Sequence, residues 1–336
     1  MNKTFPIKYT LFALIINGTL LIGADKKLAQ TGFQFLSVSS DARAGAMGDA
    51  MTTIFGKSSS LFFNPAGMSR QKKFLDISFS QNRWIAGINH NALSVSITPS
   101  NGKLGIFGLS FKHVDYGEIQ GTMVSDNTQG FIETEKLMPS ALSIGLGYAK
   151  SLSDKFSVGG HIKAASQYLG KNVVPDSDTT QSVVKNIASA FAFDFGTIYE
   201  TGWRNFAFGM SVRNFSQETK FQTEGFQLPL TFTMGVSIDL MTFLMEESSK
   251  RKLILSVDAL HPRSYSERMN IGMEYQWMKL IHIRSGYLLN YDEQNLTTGF
   301  GIQKDIGSHL IVIDYAYTPF GVFDSVQRLS FNISLD

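Results

Sequence analysis

The chain has 336 residues, of which 43% are hydrophobic, 12% aromatic and only 17% charged, with 30 glycines against 8 prolines; this is the composition of an ordered chain, not a disordered one. The absence of cysteine excludes disulfide scaffolds, thiolate nucleophiles, iron–sulfur clusters and sulfur-ligated zinc. Lys plus Arg number 30 against 28 Asp plus Glu, a formal charge of +2, too balanced for the basic face that nucleic acid requires, so no nucleic-acid partner is expected.

The first segment reads as an address. Asn2, Lys3 and Lys8 form a basic start, the apolar run Tyr9 to Ile22 follows, and Gly23 and Ala24 precede Asp25, Lys26 and Lys27. The run has the length of a signal-peptide core and falls short of the roughly twenty residues of a helical span. Residues 1–24 are therefore expected to be an export signal cleaved after Ala24, leaving the mature chain with no net charge once Lys3 and Lys8 are gone. With no cysteine behind the run, a lipoprotein anchor is excluded.

Residues 25–73 do not alternate. Ser39 to Met51 is rich in Ala and Gly, with Ser40 or Asp41 placed to cap a short helix, and Ser58–Ser60 leads into Leu61, Phe62, Phe63, Asn64, Pro65, Ala66, Gly67 and Met68. Small side chains in this density suit a hatch packed inside a barrel lumen; a periplasmic tail is the other reading.

From about residue 74 the chain counts in twos. Leu230, Phe232, Met234, Val236, Ile238 and Leu240 occupy one parity, Thr231, Thr233, Gly235, Ser237 and Asp239 the other, which are the two faces of one strand. The same period runs through 206–213, 269–277 and 328–335. Strands are predicted near 74–81, 92–99, 102–114, 140–152, 155–168, 187–200, 202–214, 226–240, 251–260, 267–277, 279–290, 295–305, 307–317 and 325–335. Their even number, about fourteen, suits an outer-membrane barrel. Tight turns at Ser100–Asn101, Ser153–Asp154, Thr201–Gly202 and Ile306–Gly307 lie between longer loops, the longest being 115–139 and 170–186. Short reversals on a periplasmic rim and long loops outside are what such a barrel shows. One connection, Met241 to Lys250, is long on the short-turn side and reads as an amphipathic periplasmic segment. Trp84, Tyr199, Trp203, Tyr275, Trp277, Tyr315 and Tyr317 lie near strand ends, where interfacial girdles sit. The strand at 102–114, with apolar residues on both parities, is expected to have both faces covered, one by the plug. The expected fold is thus an all-β transmembrane antiparallel barrel at 74–336 with a luminal hatch at 25–73 and no helical membrane span.

Chemistry is sparse. The six histidines are scattered without metal-ligand spacing, the Gly145/Gly147 and Gly299/Gly301 pairs lie inside strand patterns instead of opening helices, and there is no Gly-x-Ser-x-Gly elbow. No catalytic, cofactor or metal site is predicted. The polar parity carries His161, Lys163, Asp194, Arg213, Asp239, Asp258, Glu274, His282 and Arg284, either a transport path or mutually neutralising lumen filling; His161 and His282 are expected to line a wet lumen.

The segment Phe35–Leu36, Asp41-Ala42-Arg43-Ala44, Ala46-Met47-Gly48-Asp49-Ala50 and Asn64-Pro65-Ala66-Gly67 resembles the PorV/PorQ family of bacterial outer-membrane proteins. Its Phe62–Met68 portion is similar to the Asn-Pro-Ala hatch motif of FadL-type fatty-acid transporters. Towards the end, Gly272–Tyr275, Arg284–Tyr287, Gly299–Gly301 and Asp314–Tyr317 with Phe320 and Gly321 look like the same family's closing strands, so the resemblance covers nearly the whole mature chain. The chain departs from many outer-membrane barrels in ending Ile333-Ser334-Leu335-Asp336 without a terminal aromatic, so Phe331 would serve. The resemblance implies a fourteen-stranded FadL-like barrel whose hatch motif comprises Asp41, Arg43, Met47, Gly48, Asn64, Pro65, Ala66 and Gly67. It also implies a non-enzymatic role without cofactors: binding secreted cargo through its C-terminal signal domain in type IX secretion, beside other secretion components and outer-membrane lipid. The alternative implied function is passive transport of hydrophobic small molecules past a moving hatch.

Overall fold

The computed structural model describes residues 31–175, 181–221, 224–244 and 250–336; the expected signal at 1–24 lies outside them. Eighteen strands follow the chain: β1 (Leu75–Arg83), β2 (Asn89–Ile97), β3 (Ile106–Asp115), β4 (Ile119–Val124), β5 (Phe131–Leu137), β6 (Ser140–Ser151), β7 (Phe156–Pro175), β8 (Gln181–Glu200) and β9 (Ala207–Phe215). They continue as β10 (Thr219–Phe221), β11 (Glu224–Phe226), β12 (Thr231–Asp239), β13 (Arg251–Pro262), β14 (Arg268–Trp277), β15 (Ile281–Leu289), β16 (Leu296–Ile306), β17 (His309–Phe320) and β18 (Phe323–Leu335). Fourteen of them close an antiparallel barrel in the order β1-β18-β17-β16-β15-β14-β13-β12-β9-β8-β7-β6-β3-β2, while β4–β5 and β10–β11 are separate two-stranded ribbons. Closure is made by β1 on β18, from Leu75↔Leu335 to Arg83↔Gln327. A closed ladder leaves no edge, so backbone groups at membrane depth are all paired.

The burial pattern is inverted relative to a water-soluble barrel. On β18 the inward residues Arg328, Ser330 and Asn332 are buried, while Leu329 and Phe331 between them are 51% and 42% exposed. The same holds on β1, where Ser78 and Ser80 are buried and Phe79 faces out. An outward apolar row and an inward polar one are stable only where the outside is hydrocarbon. Among the described residues no helix is long and apolar enough to cross a membrane.

Residues 31–73 run through the lumen from one rim to the other. Thr31 bridges Gln227, and Phe33, Phe35 and Leu36 pack on Val114, Ala141, Ala165 and Ala192 of the inner wall near the long-loop rim. Helix α1 (Ala42–Ala46) follows, capped by Asp41, whose Oδ1 accepts from the Ala44 N–H at 2.8 Å. Two 3₁₀ turns, Ser58–Phe62 and Pro65–Arg70, lead to β1 at the short-turn rim. Pro65 opens the second turn and Asn64 caps it, because proline's fixed φ suits a first helical position.

Most predicted strands match, and the differences have local causes. The third predicted strand begins only at Ile106, since Gly102 and Gly105 hold φ of 82° and 84°. Its inner face packs through Ile106 on Leu61 and Met68 of the hatch, whereas Phe107, Leu109 and Phe111 are exposed on the outer face; that face is not covered by protein. The predicted 226–240 strand begins at Thr231 because Pro229 lacks an N–H for the ladder, and residues 224–226 pair instead with 219–221. The expected loop at 170–186 is largely strand: β7 and β8 keep pairing beyond the barrel, from Gly170↔Asn186 to Pro175↔Gln181, across a register shift after Tyr168. In the predicted amphipathic connection Met241–Leu244 forms helix α2, and Glu246 and Glu247 lie outside the described residues. Trp84 does not join an outer girdle; it turns inward to meet Phe320 edge-on at 5.0 Å.

Candidate functional site: a hatch dividing the barrel lumen

The hatch is fixed to the wall by hydrogen bonds along its length. Arg43 donates from Nε and Nη2 to both oxygens of Glu274, at 2.9 and 2.7 Å. Glu274 also accepts from Arg284 Nε at 2.5 Å, and Arg284 reaches Asp314 at 2.7 Å. Thr52 donates its N–H and hydroxyl to Asp258 Oδ2, at 3.0 and 2.7 Å. Asn64, 1% exposed, donates to the carbonyls of Thr52 (2.7 Å) and Thr197 (3.2 Å) while its Oδ1 accepts from Ala66 N–H at 3.1 Å. A Cβ at Gly196 would collide with the Asn64 amide, and one at Gly286 with the Gly48 backbone. Glycine at these two wall positions is what lets the hatch approach the strands.

The predicted hatch residues therefore share one structural role. Asp41 caps α1, Arg43 is the ion-pair clip, and Met47 and Gly48 press on Gly272 and Gly286. Asn64 with Pro65, Ala66 and Gly67 forms the buried turn against β7 and β8.

The predicted lumen residues fall into separate groups. Arg213 donates to the Phe62 carbonyl at 3.1 Å, and Asp239 accepts from the Met241 and Leu253 N–H groups at 3.1 Å each. Glu274, Arg284 and the lumen-facing His282 surround Arg43. His161, Lys163 and Asp194 form one buried network, in which Lys163 lies 2.8 Å from Asp194 and donates to the side-chain Oδ1 of Asn214 at 2.6 Å. His161 differs from expectation, being dry and fully bonded. Its Nε2 is 2.8 Å from the Ser110 hydroxyl and its Nδ1 3.0 Å from Asp194.

Ser110, His161 and Asp194 thus stand in the order of a hydrolase triad, but the surroundings do not serve that chemistry. Asp194 is shared with Lys163 and with the Asn214 N–H. The strand N–H groups beside Ser110 belong to the β2–β3 and β3–β6 ladders, leaving no oxyanion donors. Ser110 is 3% exposed and lines neither cavity described below. The triad geometry is a cross-strand packing network.

Arg328, Lys112 and Asn82 also hold the hatch and were not singled out from sequence. Lys112 donates to the Val38 carbonyl at 2.7 Å, Asn82 to Ser39 at 2.8 Å and Arg328 to Ser39 at 3.2 Å. Their signal was inward parity alone, which every lumen residue shares.

Among the described residues, cavities lie on each side of the hatch. One of about 420 Å³ opens toward the long-loop rim, lined by Asp49, Thr52, Trp84, Arg213, Arg268 and Arg328 among others. The other, about 360 Å³, lies toward the short-turn rim and includes Arg43, Thr53, Lys57, Glu274 and His282. No described residue lines both, and the boundary falls between neighbours Thr52 and Thr53.

Structures with the same fold include the Ralstonia pickettii toluene transporter TbuX, with a TM-score of 0.57 at 11% identity over 88% of this chain and 98% of that one. A Pseudomonas putida toluene transporter, TodX, gives 0.54 at 12% identity over 92% and 98%. A Pseudomonas aeruginosa FadL homologue gives 0.52 at 10% identity over 89% and 99%. At these identities the likeness is one of fold, a FadL-like barrel. No curated protein matches the sequence. The model of the type IX secretion system protein PorV matches residues 22–261, most of the chain including the hatch, and on that match the chain belongs to the PorV family of outer-membrane β-barrels.

Proposed function

We propose that this barrel is a non-enzymatic receptor in the outer membrane that binds secreted cargo through the cargo's C-terminal signal domain during type IX secretion, with the long-loop rim facing outward. The observation that carries the reading is the division of the lumen: a barrel blocked by a bonded hatch is built to present surfaces at its mouth, not to pass solute. Two ribbons project there. β4–β5 pairs from Ile119↔Leu137 to Val124↔Phe131 and exposes Ile119, Val124, Phe131 and Ile132. The extension of β7 and β8 beyond Gly170 stands beside it. A two-stranded ribbon leaves both outer backbone edges unpaired, the surface on which an extended segment adds as a further strand. Outer-membrane lipid surrounds the apolar exterior, and other secretion components are partners expected at the same rim.

A second reading, passive transport of hydrophobic small molecules, is favoured by the fold shared with toluene transporters. It requires the hatch to move, breaking the bonds of Asn64, Thr52 and Arg43. It also requires an apolar solute to rest against Asp49, Asp258 and Arg268, each with a buried polar atom lacking a partner; leaving such a group dry costs about 1–3 kcal/mol.

The test is removal of residues 119–137 and 171–185, each replaced by a short Gly-Ser turn, followed by cargo pull-down from the native outer membrane. Loss of capture with a folded barrel supports the receptor reading; undiminished capture refutes it.

A further inference from the structure

The outer face of the wall from β13 to β17 carries almost no charge. Its outward positions run through Leu253 to Ala259, Met269 to Trp277, Ile281 to Leu289, Leu296 to Ile302 and Ile311 to Tyr317 without one acidic side chain. Its formal charges are Arg251 and Lys304, both exposed and both at the short-turn rim. Their chain neighbours Lys252 and Gln303 line the cavity inside that rim, so strand alternation turns Arg251 and Lys304 outward. Asp305, next to Lys304, has the inward parity of Gln303.

Lys304 interrupts the lipid-facing row between Ile302 and Ile306, each 52% exposed, and its partner on β17 is Ile311. On its other side the Gln303 N–H donates to the Leu280 carbonyl at 2.8 Å. That bond carries the β15–β16 ladder beyond Ile281↔Ile302 and sets Lys279 opposite Lys304. Lys279 is exposed in a tight turn with Met278, at φ of 57° and 52°. Two lysines so opposed, about 5 Å apart at the backbone, repel each other, and an anion between them relieves the repulsion. Arg251 is the register partner of Trp277, whose carbonyl closes the same turn by accepting from the Leu280 N–H at 2.9 Å. Among the described residues none of Arg251, Lys279 and Lys304 forms an ion pair.

A cation in an apolar outer row is stable where its head reaches the boundary between hydrocarbon and water. Trp277, 38% exposed, belongs to the aromatic belt that marks this boundary. Phospholipid phosphodiesters lie at that depth. A soluble anion gains nothing from the isoleucines around Lys304, and a zwitterionic lipid brings its own cation to the site.

We propose that the short-turn rim between β13 and β16 binds the headgroup of an anionic glycerophospholipid. The phosphodiester lies between Lys279 and Lys304, Arg251 and the Trp277 ring flank the glycerol, and the acyl chains follow Ile302 and Phe300. The site stands apart from the cargo reading, at the rim opposite the ribbons.

Native mass spectrometry of the mature barrel in dodecyl maltoside tests it, with dioleoyl phosphatidylglycerol and dioleoyl phosphatidylcholine supplied at equal concentration. One surface cation near an anionic headgroup is worth about a factor of five, so phosphatidylglycerol adducts should exceed phosphatidylcholine adducts about fivefold or more. Lys279→Gln with Lys304→Gln should remove most of that preference, and adding Arg251→Gln should abolish it. Lys171 and Lys185 are also exposed cross-strand partners, on the β7–β8 extension outside the barrel; Lys171→Gln with Lys185→Gln should leave the preference unchanged. Heat-modifiable migration verifies folding of each variant. Equal binding of the two lipids, a preference that survives the triple substitution, or one lost equally in the Lys171 and Lys185 variant overturns the proposal. Displacement of the lipid by inorganic phosphate at the same concentration also overturns it, by making the site one for a soluble anion.

Discussion

Replacing Asn64 by alanine tests whether the hatch is a fixed septum. The side chain makes three well-placed bonds, to the carbonyls of Thr52 and Thr197 and from the Ala66 N–H, in a site that excludes water. At about 1 kcal/mol net for each buried bond, with a further contribution from the Thr52 carbonyl left without its donor, the loss is about 3–4 kcal/mol. This acts on the local opening of the hatch, because the bonds tie residues 52–66 to the wall and do not hold the strands to one another. At about 1.4 kcal/mol per factor of ten, amide exchange across residues 50–68 should accelerate on the order of 10²-fold, while exchange in the barrel strands is unchanged. Hydrogen exchange read by mass spectrometry on the folded mature barrel in detergent measures both regions in one sample. Asn64→Asp, which keeps the bond from Ala66 but turns a buried carboxylate oxygen toward the Thr52 and Thr197 carbonyls, should accelerate exchange at least as much. Acceleration of less than about threefold would refute the reasoning, since it would mean the hatch opens by a route that leaves Asn64 bonded.

Further outcomes follow from the same geometry. Glu274→Ala strands Arg43 as a buried cation and leaves Arg284 with Asp314 alone, their side chains being 16% and 2% exposed, and should destabilise the barrel by about 3–5 kcal/mol in urea unfolding followed by heat-modifiable migration; Glu274→Gln, which keeps one acceptor oxygen, should cost less. A serine-directed fluorophosphonate should leave Ser110 unlabelled in the native barrel, read by intact mass, because its hydroxyl is committed to His161 and no oxyanion donors face it; stoichiometric labelling would make the Ser110–His161–Asp194 network a nucleophile site.

The strands were legible because a lipid-facing wall imposes one apolar residue in two over long stretches, as at Leu329, Phe331 and Ile333, and this period survives without knowledge of partners. Strand starts were less so: Pro229 and the left-handed Arg204 and Asn205, with φ of 48° and 53°, delay β12 and β9 by breaking the ladder, not the pattern. The hatch was visible as a break in alternation, and its cap as Ser40 or Asp41, of which Asp41 caps the helix. Pairings within the lumen were hidden. Ser110, His161 and Asp194 come from three strands whose register fixes their contact, and Lys112 and Arg328 carried the same inward parity as residues with no partner on the hatch. Parity says that a side chain faces the lumen; only cross-strand register and the path of the hatch say what it meets there.

The central claim, a sealed barrel that receives secreted polypeptide at its mouth, is tested most directly by purifying the mature barrel from its own outer membrane in mild detergent and identifying bound proteins and lipids together by mass spectrometry. Secreted proteins sharing a C-terminal domain, present with the intact barrel and absent when ribbons 119–137 and 171–185 are trimmed, are the predicted result. Near-stoichiometric apolar molecules with no such proteins would contradict the account and place the barrel among the transporters whose fold it shares.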